Sequence, residues 1–281
     1  RKYVFRTMGH ATADNVAAAM YVKEKFPDMK GYTGINQNYA WGQDSWRDFD
    51  LTLQQIMPNT KASDKTQFPK IFAGQYGSEI SAMSLDKADL VHTSFWGGDL
   101  EAFIFQGNAR GLFKKKIGVF TVGGTAAYRL GKKLPNGLVL GARGPYGILV
   151  RDRDTALNNW FVSTYKNLYG TYPSGPAYQY GQAILAAKIA YDKAGSDATN
   201  EQLADALRGI SFESFSTTIE MKLGNGHQAA TENGYGITEY DSENGENVVK
   251  DVKFYPASCV LPPEGQNSVD WIKGGMKGAK C

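Results

Sequence analysis

The sequence holds only two cysteines, three histidines and no surplus of one charge, and each shortage removes a class of function. Cys259 and Cys281 stand near the carboxyl end with no histidine or third cysteine beside them, whereas a structural zinc site wants four clustered ligands. Their position leaves two readings open: a disulfide that ties down the tail, contributing about 3 kcal/mol in an oxidising compartment, or two unrelated thiols. His10, His92 and His227 lie far apart, and none belongs to an HExxH or CxxC pattern, so no metal centre is expected. His92 falls mid-strand and reads as a hydrogen-bonded core histidine.

Lysine and arginine total 31 against 28 acidic residues, and apart from Lys114, Lys115 and Lys116 they are scattered. No basic stripe marks a nucleic-acid surface. No apolar run approaches the roughly 20 residues that span a bilayer. The chain opens on Arg1 with neither an initiator Met nor a charged-then-apolar leader, as expected of a processed or truncated chain.

Catalytic signatures are missing too. There is no GxSxG elbow and no serine with a nucleophile's surroundings. Gly123-Gly124-Thr125, continuing to Gly131-Lys132-Lys133, misses the phosphate-loop spacing and lacks the Ser or Thr that would hold magnesium. No GxGxxG follows a predicted strand, so a dinucleotide enzyme lacks its fingerprint. No cofactor, metal or catalytic residue is expected.

What the sequence does have is rhythm. At 281 residues it suits one large domain or two lobes of about 100–150 residues each. Thr12 to Phe26 reads as a helix; strands follow at Tyr32 to Asn36, Lys70 to Ala73, Asp89 to Phe95 and Ile117 to Val122. Between them run helices of period 3.6, the first placing Trp46, Phe49, Leu53 and Ile56 on one face before Pro58. Strand, loop and helix in that order are βαβ units, and right-handed crossovers make them a doubly wound parallel sheet. Beyond Thr125, Gly137 to Val150 reads as a crossing between lobes, followed by helices near 154–169, 178–193 and 200–207. Gly236 to Tyr240 pairs with Val248 to Tyr255 across Asn244-Gly245, a reverse-turn signal.

Ligands of doubly wound sheets bind at the carboxyl ends of the strands. Those ends carry Asn38, Tyr39 and Trp41 after the first strand, Gly74, Gln75 and Tyr76 after the second, Trp96 and Asp99 after the third, and Gly124 and Thr125 after the fourth. Glycines allow close backbone approach, aromatic rings give rigid walls, and one carboxylate pairs with a ligand ammonium. For Asp99 an N-cap of the following helix is the competing expectation, and for the two tryptophans it is simple packing.

Phe5-Arg6-Thr7, the strand entering Asn38-Tyr39-Ala40-Trp41-Gly42, Phe95-Trp96-Gly97-Gly98, Tyr180-Gly181-Gln182-Ala183 and Ala194-Gly195-Ser196 together resemble the type I periplasmic solute-binding proteins, of the leucine/isoleucine/valine-binding kind. The resemblance implies an α/β fold of two lobes joined by three crossings, with the amino-terminal half of one lobe absent. It implies one ligand-binding lobe from 9–125 plus 232–281, with 1–8 and 140–231 as crossings and the carboxyl-terminal part of the other. It implies a periplasmic, non-enzymatic binding component that clamps a small polar solute (an amino acid, an amide, or a small aromatic or carboxylic acid) and hands it to an ABC permease with its ATPase subunits. Tyr39 matches a cleft aromatic of the family, and Tyr178 is expected to reach the cleft from the crossing region. Near Gly123 and Gly124 the amino-acid binders carry a carboxylate for the ligand ammonium; this chain has none there, which counts against an α-amino acid ligand unless Asp99 takes that part. The competing expectations are a receptor's ligand-sensing ectodomain and a Rossmann-like enzyme holding a nucleotide phosphate at Gly123-Gly124.

Overall fold

A computed structural model describes residues 1–281. Helix α1 (Ala11–Lys25) leads into β1 (Gly31–Gly34), α2 (Ala40–Ile56), β2 (Lys61–Ala62), α3 (Gly77–Leu85), β3 (Leu90–Thr93), α4 (Gly97–Ala109), β4 (Ile117–Phe120), α5 (Gly124–Leu130) and β5 (Val139–Gly141). Then come α6 (Ala156–Tyr169), α7 (Gly175–Ala194), α8 (Asn200–Leu207), β6 (Ser211–Glu213), β7 (Thr218–Leu223) and β8 (Gln228–Ala230). The hairpin β9 (Asn233–Asp241) and β10 (Glu246–Tyr255) precedes two short helices, α9 (Ala257–Val260) and α10 (Ser268–Lys273).

Seven strands form the main sheet in the order β10-β9-β5-β4-β3-β1-β2. The run from β2 to β5 is parallel, and β9 and β10 close one edge antiparallel. Successive strand residues face opposite sides: Leu90, Val119 and Val139 enter the core under α1 and α2, while Val91, Phe120 and Leu140 enter the core under α3, α4 and α5. Both faces are covered, as a parallel sheet requires. Helix α1 is rich in alanine, so it packs closely between α2 and β9 and is buried along most of its length.

The expected strand at Lys70 to Ala73 does not form. Its place beside β1 is taken by β2, and 63–76 runs as a loop back toward the carboxyl ends of the strands, touching β1's extension through an Ile35–Gln67 bridge. Pro69 cannot donate to a ladder, and Phe72 adopts φ 59°, which turns the chain where a strand would continue. Gly137 to Val150 also differs from expectation, because Val139–Gly141 belongs to the main sheet before the crossing starts.

The second, three-stranded sheet, β6-β7-β8, is antiparallel; Phe212, Ile219, Met221 and Ala229 make a small core with Ala186 of α7. The carboxyl tail returns to the main sheet's helices α1 and α2, where Trp271 of α10 is fully buried beside α2, and a Cys259–Cys281 disulfide pins its end. Of the two readings of these cysteines, the structure has the bonded one.

Candidate functional site

The carboxyl ends of β1, β3, β4 and β5 open on one side of the sheet, and the turns there are locked to one another. Asn36, fully buried after β1, accepts from the Ser94 amide at 2.7 Å and the Ser94 hydroxyl at 2.8 Å after β3. Trp41, in the first turn of α2, donates its indole N–H to the Ser94 carbonyl at 3.0 Å. The turn into α2 needs a glycine: a Cβ on Gly42 would lie 2.0 Å from the Gln37 carbonyl oxygen. On the rim, Trp96 donates to the Tyr39 hydroxyl at 2.8 Å, and Phe72 stands edge-on to Trp96 with ring centroids 5.8 Å apart.

Between these turns and the start of α7 lies a cavity of about 240 Å³, lined among others by Trp96, Glu101, Gly124, Thr125, Arg143 and Gln179. Larger hollows exist elsewhere, one of about 430 Å³ among lysines at the amino ends of the strands and one of about 680 Å³ beneath the tail. Both lie away from the carboxyl ends of the strands, where doubly wound sheets bind ligands, so size does not select the site.

Of the residues singled out from sequence, Trp96, Gly124 and Thr125 line this cavity, Tyr39 and Trp41 adjoin it through Trp96 and Arg143, and Asn38 is exposed on the rim, accepting from Gln43 at 2.9 Å. Two others are elsewhere. Asp99 is buried within α4, where it accepts from the Gln37 side chain at 2.6 Å and the Phe72 amide at 2.8 Å. It is neither N-cap nor free carboxylate; it clamps the 63–76 loop to the strand ends. Tyr178 is fully buried, its hydroxyl donating to Asn158 at 2.9 Å, so it does not reach the cleft. The Gly123-Gly124 pair serves packing: a Cβ on Gly124 would come within 2.9 Å of Ala142.

The residue that sequence reasoning missed is Arg143, two positions past β5. It is half-buried, and its guanidinium lies over the Trp41 ring, 4.4 Å from the centroid. It adopts φ 59°, a left-handed conformation that suits glycine and is strained for arginine. Asp14, buried behind it on α1, accepts from Asn233 through one oxygen and leaves the other without a partner. Burial pushes the Asp14 carboxyl up to about 7, partly offset by the charge of Arg143. His92, also fully buried, bonds Asn15 at 2.9 Å and stacks on Phe49; burial holds it neutral, down to about 3.

A sequence profile of the family described as periplasmic binding protein matches residues 1–246. A search of curated proteins by sequence found no match. Among solved structures, a solute-binding protein of an ABC transporter from Rhodopseudomonas palustris BisB5, in complex with 3,4-dihydroxybenzoic acid, superposes with a TM-score of 0.76 at 18% identity, covering 90% of this chain and 67% of that one. A substrate-binding protein of an amino-acid ABC transporter from Pseudomonas fluorescens gives 0.73 at 14% identity, over 93% and 67%. A leucine-binding protein from Thermotoga maritima gives 0.70 at 17% identity, over 90% and 68%. At these identities the likeness is one of fold, that of the two-lobed proteins with mostly parallel sheets, and this chain spans about two thirds of their length.

Proposed function

The chain belongs to the type I periplasmic binding proteins, and from that premise we propose that it is the solute-binding component of an ABC importer, capturing a small polar solute at the carboxyl ends of β1, β3, β4 and β5. The observation that carries the reading is the convergence of the turns after β3, β4 and β5 on one cavity walled by Trp96, Thr125 and Arg143, with Trp41 of the turn after β1 beneath the Arg143 guanidinium. Tyr39, Trp41, Trp96, Gly124 and Thr125 form one jaw, with Asn38 at its rim. Residues 9–125 and 232–281, with β5, make up the lobe that carries this jaw; 1–8 and the remainder of 140–231 make up crossings and part of the second lobe. Hinge closure between the lobes would trap and desolvate the solute.

The solute is an amino acid, an amide, or a small aromatic or carboxylic acid, the classes to which the ligands of the similar structures belong: 3,4-dihydroxybenzoic acid in one, benzoate in another, leucine in a third. Delivery is to a membrane permease with its ATPase subunits, and the place of work is the periplasm, which suits a chain with a disulfide. No catalytic step is assigned. The test is thermal unfolding of the intact protein against amino acids, amides, aromatic acids and nucleotides. A solute at about 100 times its Kd adds about 2.7 kcal/mol of stability. Stabilisation by a member of the first three classes is the expected result; stabilisation by nucleotides alone overturns the reading in favour of a nucleotide-dependent enzyme.

A further inference from the structure

The charges around the cleft are unevenly committed. Glu101 lines the cavity but is paired with Arg129 at 3.0 Å. Asp99 is turned inward onto Gln37 and the Phe72 amide, and Asp14 is buried behind the wall. No carboxylate is left facing the cavity without a cation. Arg143 is the opposite case: it lines the cavity, and its five N–H groups meet no protein acceptor within hydrogen-bonding distance and no acid within ion-pair distance. The Thr125 hydroxyl and Gln179 amide beside it are likewise without side-chain partners in the protein.

The left-handed backbone of Arg143, shared with Phe72, Asn225, Asp251 and Met276, is a strained choice for an L residue that the surrounding turn must hold. The Trp41 face beneath fixes the plane of the guanidinium without using its donors, leaving the fork pre-organised for a partner above. A planar fork of donors is complementary to a carboxylate, and the half-buried setting strengthens that pairing relative to water. The ring of Trp96 and the side chain of Leu100 provide a wall for a flat apolar body.

We infer that Arg143, seated on Trp41, determines specificity: the cleft takes an organic carboxylate with a flat apolar body in preference to a zwitterionic amino acid or a neutral amide. This rests on the solute-binding reading above and narrows it. An α-amino acid brings an ammonium for which this jaw offers no free acid, and an amide of the same shape forgoes the charge.

The experiment compares benzoate, benzamide and L-leucine by titration calorimetry on the intact protein and on its Arg143→Gln and Arg143→Gly variants. Benzoate is expected to bind the unsubstituted protein at least tenfold more tightly than benzamide or leucine, and that preference is expected to collapse to within about twofold in both variants. Arg143→Gly relieves the backbone strain, so its Tm is expected to be unchanged or higher, which separates lost recognition from lost folding. Benzamide or leucine bound as tightly as benzoate, or a preference that survives in the variants, overturns the assignment while leaving a solute-binding protein in place. Binding of none of the three overturns the assignment, and the solute-binding reading falls with it when the wider panel of amino acids, amides and aromatic acids also leaves the Tm unmoved.

Discussion

The guanidinium of Arg143 rests on the ring of Trp41, so a cation from the turn after β5 is held by an aromatic from the first turn of α2. The contact joins two strand ends separated in the sheet by β4 and β3. Trp41 also donates to the Ser94 carbonyl, so its ring face and its N–H serve different partners.

Those two roles are separable by substitution. Trp41→Phe keeps a ring under Arg143 and loses the bond to Ser94, a cost of about 1 kcal/mol in stability. Trp41→Leu also loses the cation's platform, worth about 0.5–1 kcal/mol at such a site, or roughly a two- to fivefold further loss of carboxylate affinity. Urea unfolding and calorimetry on both variants measure the two effects. Equal losses of affinity in the two variants would assign the effect to the Ser94 bond instead.

Asp99 gives a contrasting prediction, because its carboxylate is spent on the protein. Asp99→Ala leaves the Gln37 side-chain amide and the Phe72 N–H, which share one Asp99 oxygen, without an acceptor and is expected to destabilise the fold by about 2 kcal/mol. Release of the 63–76 loop should weaken every solute alike. A loss confined to amino acids, with stability unchanged, would return Asp99 to the site as an ammonium partner.

The elements that were legible in the sequence are those whose own residues determine them. The period of Trp46, Phe49, Leu53 and Ile56 announces α2, and the apolar runs of β3 and β4 announce strands buried on both faces. Lys70 to Ala73 has the apolar content of a strand, yet a two-residue pairing at Lys61–Ala62 and the left-handed turn at Phe72 displaced it, and both depend on tertiary context. Arg143 was hidden for a related reason. β5 is only three residues long, and Gly141-Ala142-Arg143-Gly144 looks like irregular crossing sequence. The available signal was a lone long cation between glycines just past an extended segment. Tyr178 and Asp99 were placed at the cleft by chain position, and it took their partners Asn158, Gln37 and the Phe72 amide to show them turned inward.

Two buried titratable groups should impose opposite slopes on stability against pH. Folding holds the Asp14 proton up to about pH 7, whereas the unfolded chain releases it near 3.8, so this group's contribution falls as pH rises from about 4 to 7. His92 stays neutral down to about pH 3 in the fold but takes a proton near 6.5 when unfolded, so its contribution falls as pH drops from about 6.5 toward 3. The slopes cancel in part between pH 4 and 6.5. Asp14→Asn removes the first and keeps an acceptor for Asn233, so the variant's stability should climb with pH through that window and exceed the parent's at pH 8. Denaturant midpoints at pH 4.5, 6 and 8 measure this. A variant less stable than the parent at pH 8 would mean that the charged carboxylate is favoured in the fold, through Arg143.

The tail offers the last test, because its attachment combines a covalent and an apolar component. Cys259 and Cys281 are 22 positions apart, and closing a loop of that size removes unfolded-state freedom worth about 3 kcal/mol. Inside the loop, Trp271 and Ile272 are fully buried in the core with α1 and α2, so the tail keeps an anchor when the bond is cut. The Cys259→Ala, Cys281→Ala double variant should therefore lose about 3 kcal/mol while retaining the blue-shifted fluorescence of a buried tryptophan at Trp271. Because the tail lies against α1 and α2 rather than at the strand ends, solute affinity should be unchanged. Reducing the parent protein should lower its stability to that of the variant and no further. A red shift at Trp271 with little loss of global stability would instead show that the disulfide alone holds the tail and that the helices beneath it are stable without its cover.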